Sequence, residues 1–145
     1  MVKLQVPLAT NVLVAGLRSR GGASFQILSI WLEGRFRACV SVPLWLEYEA
    51  VLKREHIAAG HGLSAEDIDV LLATFAAHIV PVELNFTWRP QLRDPKDEMM
   101  FDTALNGRSE ALVTFNRDDF SKPAAKFGLK LWTPRELLRR SRLER

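Results

Sequence analysis

The sequence is poor in the residues that staple small folds or cluster around zinc. Its one cysteine, Cys39, lies in the apolar run RACVSV and has no partner within the chain. That excludes a disulfide framework and fits a reducing cytoplasm. Cys39 itself reads as a buried strand residue rather than a catalytic thiol. The three histidines, His56, His61 and His78, fall on a connector and at helix ends, where they read as solvated. No Cys/His constellation with zinc-ligand spacing exists. No uncharged run approaches the roughly 20 residues of a membrane span. Lys3 and the alternation of residues 1–16 argue against a signal peptide. GxGxxG and GxxxxGK[ST] are absent and Gly21-Gly22 is too short to cradle phosphate, which disfavours a nucleotide-binding protein. Internal repeats, linkers and low-complexity segments are also missing.

What is present suits one compact domain over residues 1–145, with 48% hydrophobic and 26% charged residues, enough to bury a core without disulfides. The net charge of +3 and a pI near 9.4 permit a polyanionic partner without requiring one.

Short apolar runs alternate with amphipathic ones. Residues 3–8 (KLQVPL) read as a strand, with Pro7 removing a ladder donor and hinting at an irregular or edge position. A helix follows over 12–18, broken by Arg20-Gly21-Gly22, and a second runs from about Ser24 through Glu33. FRACVSV (36–42) is the next strand, after which Ser41 caps a helix to about Arg54 with Pro43 in its first turn. HIAAGHGLS reads as a break, and Ser64 with Asp67 as a capping box for a helix over 65–77. Residues 79–84 fit either a strand or an extended connector. Asp94-Pro95 opens a helix to about Leu105, ended by Gly107; ALVTF (111–115) is a buried strand. A short helix near 121–127, a strand at 129–132 and a terminal Arg-rich helix capped by Thr133-Pro134 complete the chain. This alternation implies an α/β domain with a mainly parallel sheet.

In such sheets functional groups gather beyond the carboxyl ends of the strands. The sequence delivers four polar groupings there. These are Ala9-Thr10-Asn11; Glu47, on the helical face shared by Leu44 and Val51; Asp97, in RDPKDEMMFDTAL; and the segment Thr114–Phe120. Carboxylates converging from separate elements repel one another unless a divalent cation neutralises them, oxygen-seeking Mg²⁺ or Mn²⁺ above all. Taken singly, each acid has a structural reading: Glu47 paired with an arginine, Asp97 complementing a helix N-terminus, Asp118 and Asp119 as turn or cap residues. Their joint order carries the argument.

That order resembles the PIN-domain family, most closely its bacterial VapC-like toxins. Such proteins typically begin with a strand ending Asp-Thr-Asn-Val-Leu-Val, and this chain has Ala9-Thr10-Asn11-Val12-Leu13-Val14. A second acid follows strand two in a serine-to-glutamate stretch, matched by Ser41 through Glu47. A third lies seven residues before a small residue, as Asp97 precedes Ala104. The fourth region, which follows a strand as Thr-x-Asp or Thr-x-Asn-x-x-Asp-Phe, is matched by Thr114, Asn116, Asp119 and Phe120. The likeness runs from Leu4 to Trp132. It implies a three-layer fold, a central parallel sheet flanked by helices, and Mg²⁺- or Mn²⁺-dependent endoribonuclease activity on RNA. It also implies a small antitoxin partner and a homodimer. Carried over, Glu47, Asp97 and Asp119 are metal-site carboxylates and Asn116 is a polar substitute. Thr114 and Thr10 supply hydroxyls, and Asn11 supports the first loop.

One position breaks the pattern. Ala9 stands where the family has its first aspartate, and a methyl group cannot coordinate a cation. The expectation is weakened metal binding and weakened activity. The competing reading is a catalytically inactive RNA- or protein-binding module on the same fold. For that role the tail arginines (Arg135, Arg139, Arg140, Arg142 and Arg145) are candidate phosphate contacts, a solvated terminal helix being the alternative; for docking an antitoxin Trp31, Trp45 and Trp88 are candidate anchors, with core packing the default.

Overall fold

The computed structural model describes residues 3–143. Five short strands, β1 (Gln5–Val6), β2 (Arg37–Val40), β3 (Ile79–Pro81), β4 (Ala111–Val113) and β5 (Lys130–Trp132), are all parallel where they pair. One ladder runs β1-β2-β3 and a second joins β4 to β5. The two meet where Leu8 bridges Val113, with the Ala9 amide donating to the Val113 carbonyl (2.8 Å) and the Val113 amide to Pro7 (3.0 Å). The chain around Pro7 is therefore interior, between β2 and β4: the position is irregular, as one of the two expectations had it, and not an edge. Pro7 contributes only a carbonyl, so strand one leaves one ladder and joins the other there. The edge proline is instead Pro81, in β3.

Helices cover the sheet: α1 (Thr10–Arg18), α2 (Ala23–Leu32), α3 (Val42–Leu52), α4 (Glu55–His61), α5 (Ala65–Phe75), α6 (Pro95–Asn106), α7 (Arg117–Phe127) and α8 (Pro134–Leu143). The strands' buried residues, among them Val6, Leu8, Ala38, Val40, Leu112 and Val113, form one hydrophobic cluster with the inner helix faces. Trp31 is wholly buried, stacked on Phe75 at 3.9 Å between centroids, and donates its indole N–H to the His78 carbonyl (2.9 Å). It is a core residue, not a docking anchor. The Ser64–Asp67 capping box forms as expected, with both reciprocal bonds at 3.1 Å.

Three sequence expectations need correction. The stretch read as a break after Arg54 holds α4, which ends at Gly62 in the left-handed region (φ 73°). This helix buries no residue, so it left no apolar period to read. Its His61 is not simply solvated: the ring bridges the Leu52 carbonyl (2.8 Å) and the Leu63 amide (2.9 Å). Finally, α7 begins at Arg117 rather than 121, which puts Asp118 and Asp119 in a helical first turn with Pro123 inside the helix. No described helix is long and apolar enough to cross a membrane.

The Arg-rich end is partly spoken for. Arg139 and Arg140 both bond Glu136, Arg140 lies over the Trp132 ring, and Arg142 reaches Gln26. Arg145 lies outside the described residues.

Candidate functional site

The segments leaving β1, β2 and β4 at their carboxyl ends meet the start of α6 around a cleft of about 120 Å³. Into it come Ala9, Thr10 and Asn11 from the start of α1, Leu44 and Glu47 from α3, Asp94, Lys96 and Asp97 from α6 and its cap, and Thr114 and Asn116 beyond β4. Six residues singled out in the sequence thus share one wall-to-wall space. Asp119 does not line it. It faces the adjoining depression of about 640 Å³, which also has Asp94, Asp97, Arg93 and Lys122 in its walls.

Local chemistry explains why these side chains arrive together. Ser41 caps α3 by accepting from the Leu44 amide (3.4 Å), and its hydroxyl lies 2.7 Å from that of Thr103, which fastens α3 to α6. One turn on, Leu44 and Val51 are buried and carry Glu47 inward on their face. Tyr48, fully buried, donates its hydroxyl to the Leu8 carbonyl, fixing the backbone immediately before Ala9. Asp94 caps α6 by accepting from the Lys96 amide (2.9 Å), with Pro95 in the first turn. Thr114 is buried and accepts the Asn116 amide (3.0 Å), so its hydroxyl shapes the loop that presents Asn116.

The electrostatics follow from crowding. Burial, then the neighbouring charges of Asp94, Asp119 and Glu47, push the Asp97 carboxyl up to about 6. That repulsion ties Asp119 to the same field although it sits outside the cleft. Glu47, its side chain only 12% exposed, has the Lys96 ammonium 3.7 Å away. Asn11 has its side-chain oxygen buried without a hydrogen-bond partner, an uncommon condition for a native polar group. Ala9 takes the N-cap position of α1 in extended conformation (φ −63°, ψ 147°), and with a methyl side chain it caps nothing.

Sequence reasoning passed over Lys96, Asp94 as a cleft wall, and Thr103. It also gave no role to Glu98 and Asp102, which are buried on α6 and hold the preceding segment. Glu98 accepts the Leu92 amide (2.7 Å), Asp102 the Arg89 guanidinium (2.9 Å), and Asn106 the amides of Asn85 and Phe86 (both 3.0 Å). The spacing 98-102-106 was the available signal: three polar residues on one helical stripe.

Whether this donor set suits a divalent ion is decided by its chemistry. Glu47 already has an ammonium beside it, position 9 offers a methyl group, and Asp119 stands in the next depression. Among the described residues no three His, Cys, Asp or Glu side chains come close enough together to share a metal ion. The residues present do not fit a firmly held divalent cation.

No curated protein matches the chain. A family model does, that of the PIN domain, over residues 5–118. The match takes in every residue lining the cleft, as well as the Ala9 position. PIN domains are in general metal-dependent nucleases, and their α/β fold of parallel strands flanked by helices is the one described above. On that match and that fold, this chain belongs to the PIN-domain family.

Proposed function

We propose that this protein is a PIN-type endoribonuclease of the bacterial toxin class whose hydrolytic centre is impaired at Ala9. The observation that carries this reading is the arrival of Glu47 and Asp97 in one cleft that Ala9 also lines. On this reading Glu47, Asp97 and Asp119 are the surviving acids of a site built for Mg²⁺ or Mn²⁺. Thr10, Asn11, Thr114 and Asn116 are its polar supports.

The chain's own residues define what the cleft still does. The Lys96 ammonium and the Thr10 hydroxyl offer donors to a phosphodiester, while Glu47 and Asp97 offer acceptors to an attacking water or ribose hydroxyl. What is missing is the charge that would stabilise the developing oxyanion and lower the barrier to water attack. The expected phenotype is therefore RNA binding with little cleavage. In its biological setting this reading places the protein as a single-domain cytoplasmic homodimer neutralised by a small antitoxin.

The test is cleavage of single-stranded RNA in Mn²⁺ by the chain as it stands and by Ala9→Asp. Cleavage gained in Ala9→Asp and lost again in Ala9→Asp/Glu47→Gln supports the reading. Equal activity of the unsubstituted chain and Ala9→Asp removes Ala9 from the site. RNA binding that Glu47→Gln and Asp97→Asn leave unchanged, with no cleavage in any form, favours a binding module instead.

A further inference from the structure

The segment 83–94 presents two large aromatic rings to solvent. Phe86 is 66% exposed and Trp88 37%, with centroids 6.0 Å apart. Two exposed aromatic rings side by side form a local apolar patch, the kind of surface feature that marks an interaction site. Nor are these loosely held. Asn106 clamps the backbone of Phe86 on both sides, accepting its amide and donating to its carbonyl (2.8 Å), and the buried Asp102 holds Arg89 just beyond Trp88. Trp88 also packs edge-on against Phe127, at 5.7 Å. The rings are thus ordered before any ligand arrives, which lowers the entropic cost of stacking on them.

A run of cations leads from this pair toward the carboxylates. Lys126 lies over Phe127 at 5.6 Å, and Lys122 sits one helical turn earlier on α7. Lys122 and Arg93 in turn line the depression that contains Asp97 and Asp119. Along α6, the distance from Asn106 under Phe86 back to Asp97 is about 13 Å at 1.5 Å per residue. Rings for base faces, ammonium groups for phosphates and a groove ending at acidic residues match what an unpaired nucleic acid strand presents. A folded protein partner would not require the cations to run between the rings and the carboxylates.

We infer that Phe86 and Trp88 form a base-stacking platform for single-stranded RNA, with Lys126, Lys122 and Arg93 tracking its backbone into the depression that adjoins the cleft at Asp94 and Asp97. This rests on the ribonuclease reading for the identity of the strand, but it is tested by binding alone. Fluorescence anisotropy with a short fluorescein-labelled single-stranded RNA, in chelator so that no cleavage intervenes, compares the unsubstituted chain with Phe86→Ala, Trp88→Leu and Phe86→Tyr. Circular dichroism confirms folding of each.

Loss of affinity on the order of tenfold in Phe86→Ala is the expected result. Phe86→Tyr should retain affinity, and the same sequence as a duplex should bind less well. Unchanged affinity in both Phe86→Ala and Trp88→Leu overturns the platform, as does absence of any RNA binding by the unsubstituted chain. A change confined to self-association overturns it too, by assigning the rings to a protein contact. Cleavage by Ala9→Asp combined with aromatic-independent binding refutes the platform and leaves the nuclease standing. Ring-dependent binding with no cleavage by Ala9→Asp does the reverse.

Discussion

The Lys96 ammonium sits 3.7 Å from the Glu47 carboxylate, across the cleft that also holds Ala9. Among the described residues no other cation comes within salt-bridge distance of Glu47. The lysine thus occupies electrostatically the position that a divalent ion needs. Lys96→Met should raise Mn²⁺ affinity up to about fivefold, on the order of 1 kcal/mol for a pair with one exposed member. Titration calorimetry reads it; an unchanged affinity would mean that Lys96 is a bystander.

Asp97 supplies the pH dependence. Its folded carboxyl is raised to about 6 from an ordinary 3.8, so the native state holds this proton more tightly than the unfolded chain does. The sign follows: the ionised group costs stability above pH 6, and the cost fades as pH falls toward 4. Asp97→Asn should therefore stabilise the fold at pH 7, by about 1 kcal/mol once solvent screening of a partly exposed group is allowed for. Urea unfolding at pH 7 and pH 4 should show the gain at the first and none at the second.

Asp102 is almost wholly buried and anchors the 83–94 segment through Arg89. Burial raises its carboxyl, against the lowering effect of the Arg89 contact. Asp102→Ala should cost about 2 kcal/mol, the loss of a hydrogen bond between charged groups plus a segment set free. Hydrogen exchange should rise in residues 85–92 before it rises in the sheet. Asp102→Asn, which keeps an acceptor, should cost less.

Tyr48→Phe removes the hydroxyl that bonds the Leu8 carbonyl and leaves that buried oxygen with one partner fewer. A loss of about 1 kcal/mol is expected in thermal or urea unfolding. Because Leu8 precedes Ala9, the same change in an Ala9→Asp background should also weaken metal binding. A loss of stability with full metal affinity would mean that the loop keeps its position without Tyr48.

The parts of the fold legible in the sequence were those with a local chemical signature. Ser41-Val42-Pro43 and Ser64 through Asp67 announce helix starts through groups that act within three residues. The position of Glu47 follows from the period of Leu44 and Val51. Pro7 marked the irregularity of strand one, but not whether it lay at an edge, because that depends on which neighbour its missing donor faces, a property of strand order rather than of the strand. Helix α4 escaped notice since it buries no residue and its N-cap, Arg54, makes no side-chain capping bond, so neither an apolar period nor a cap announces its start. At the site, Thr10, Asn11, Glu47, Asp97, Thr114 and Asn116 could be named because their order along the chain resembles a family's. Lys96 could not, as its role arises only when α3 folds against α6; the stripe of Glu98, Asp102 and Asn106 shows as a spacing, but its role arises only when the 83–94 segment folds against α6.

That Ala9 is the largest of the departures separating this cleft from a working metal site is read from Mn²⁺ calorimetry on the chain, on Ala9→Asp and on Ala9→Asp/Glu47→Gln. The account predicts weak or no binding by the chain and at least tenfold tighter binding by Ala9→Asp, roughly what even a supporting partner of a metal ligand contributes. That gain should be lost in the double variant. Tight Mn²⁺ binding by the unsubstituted chain, equal to that of Ala9→Asp, would contradict it.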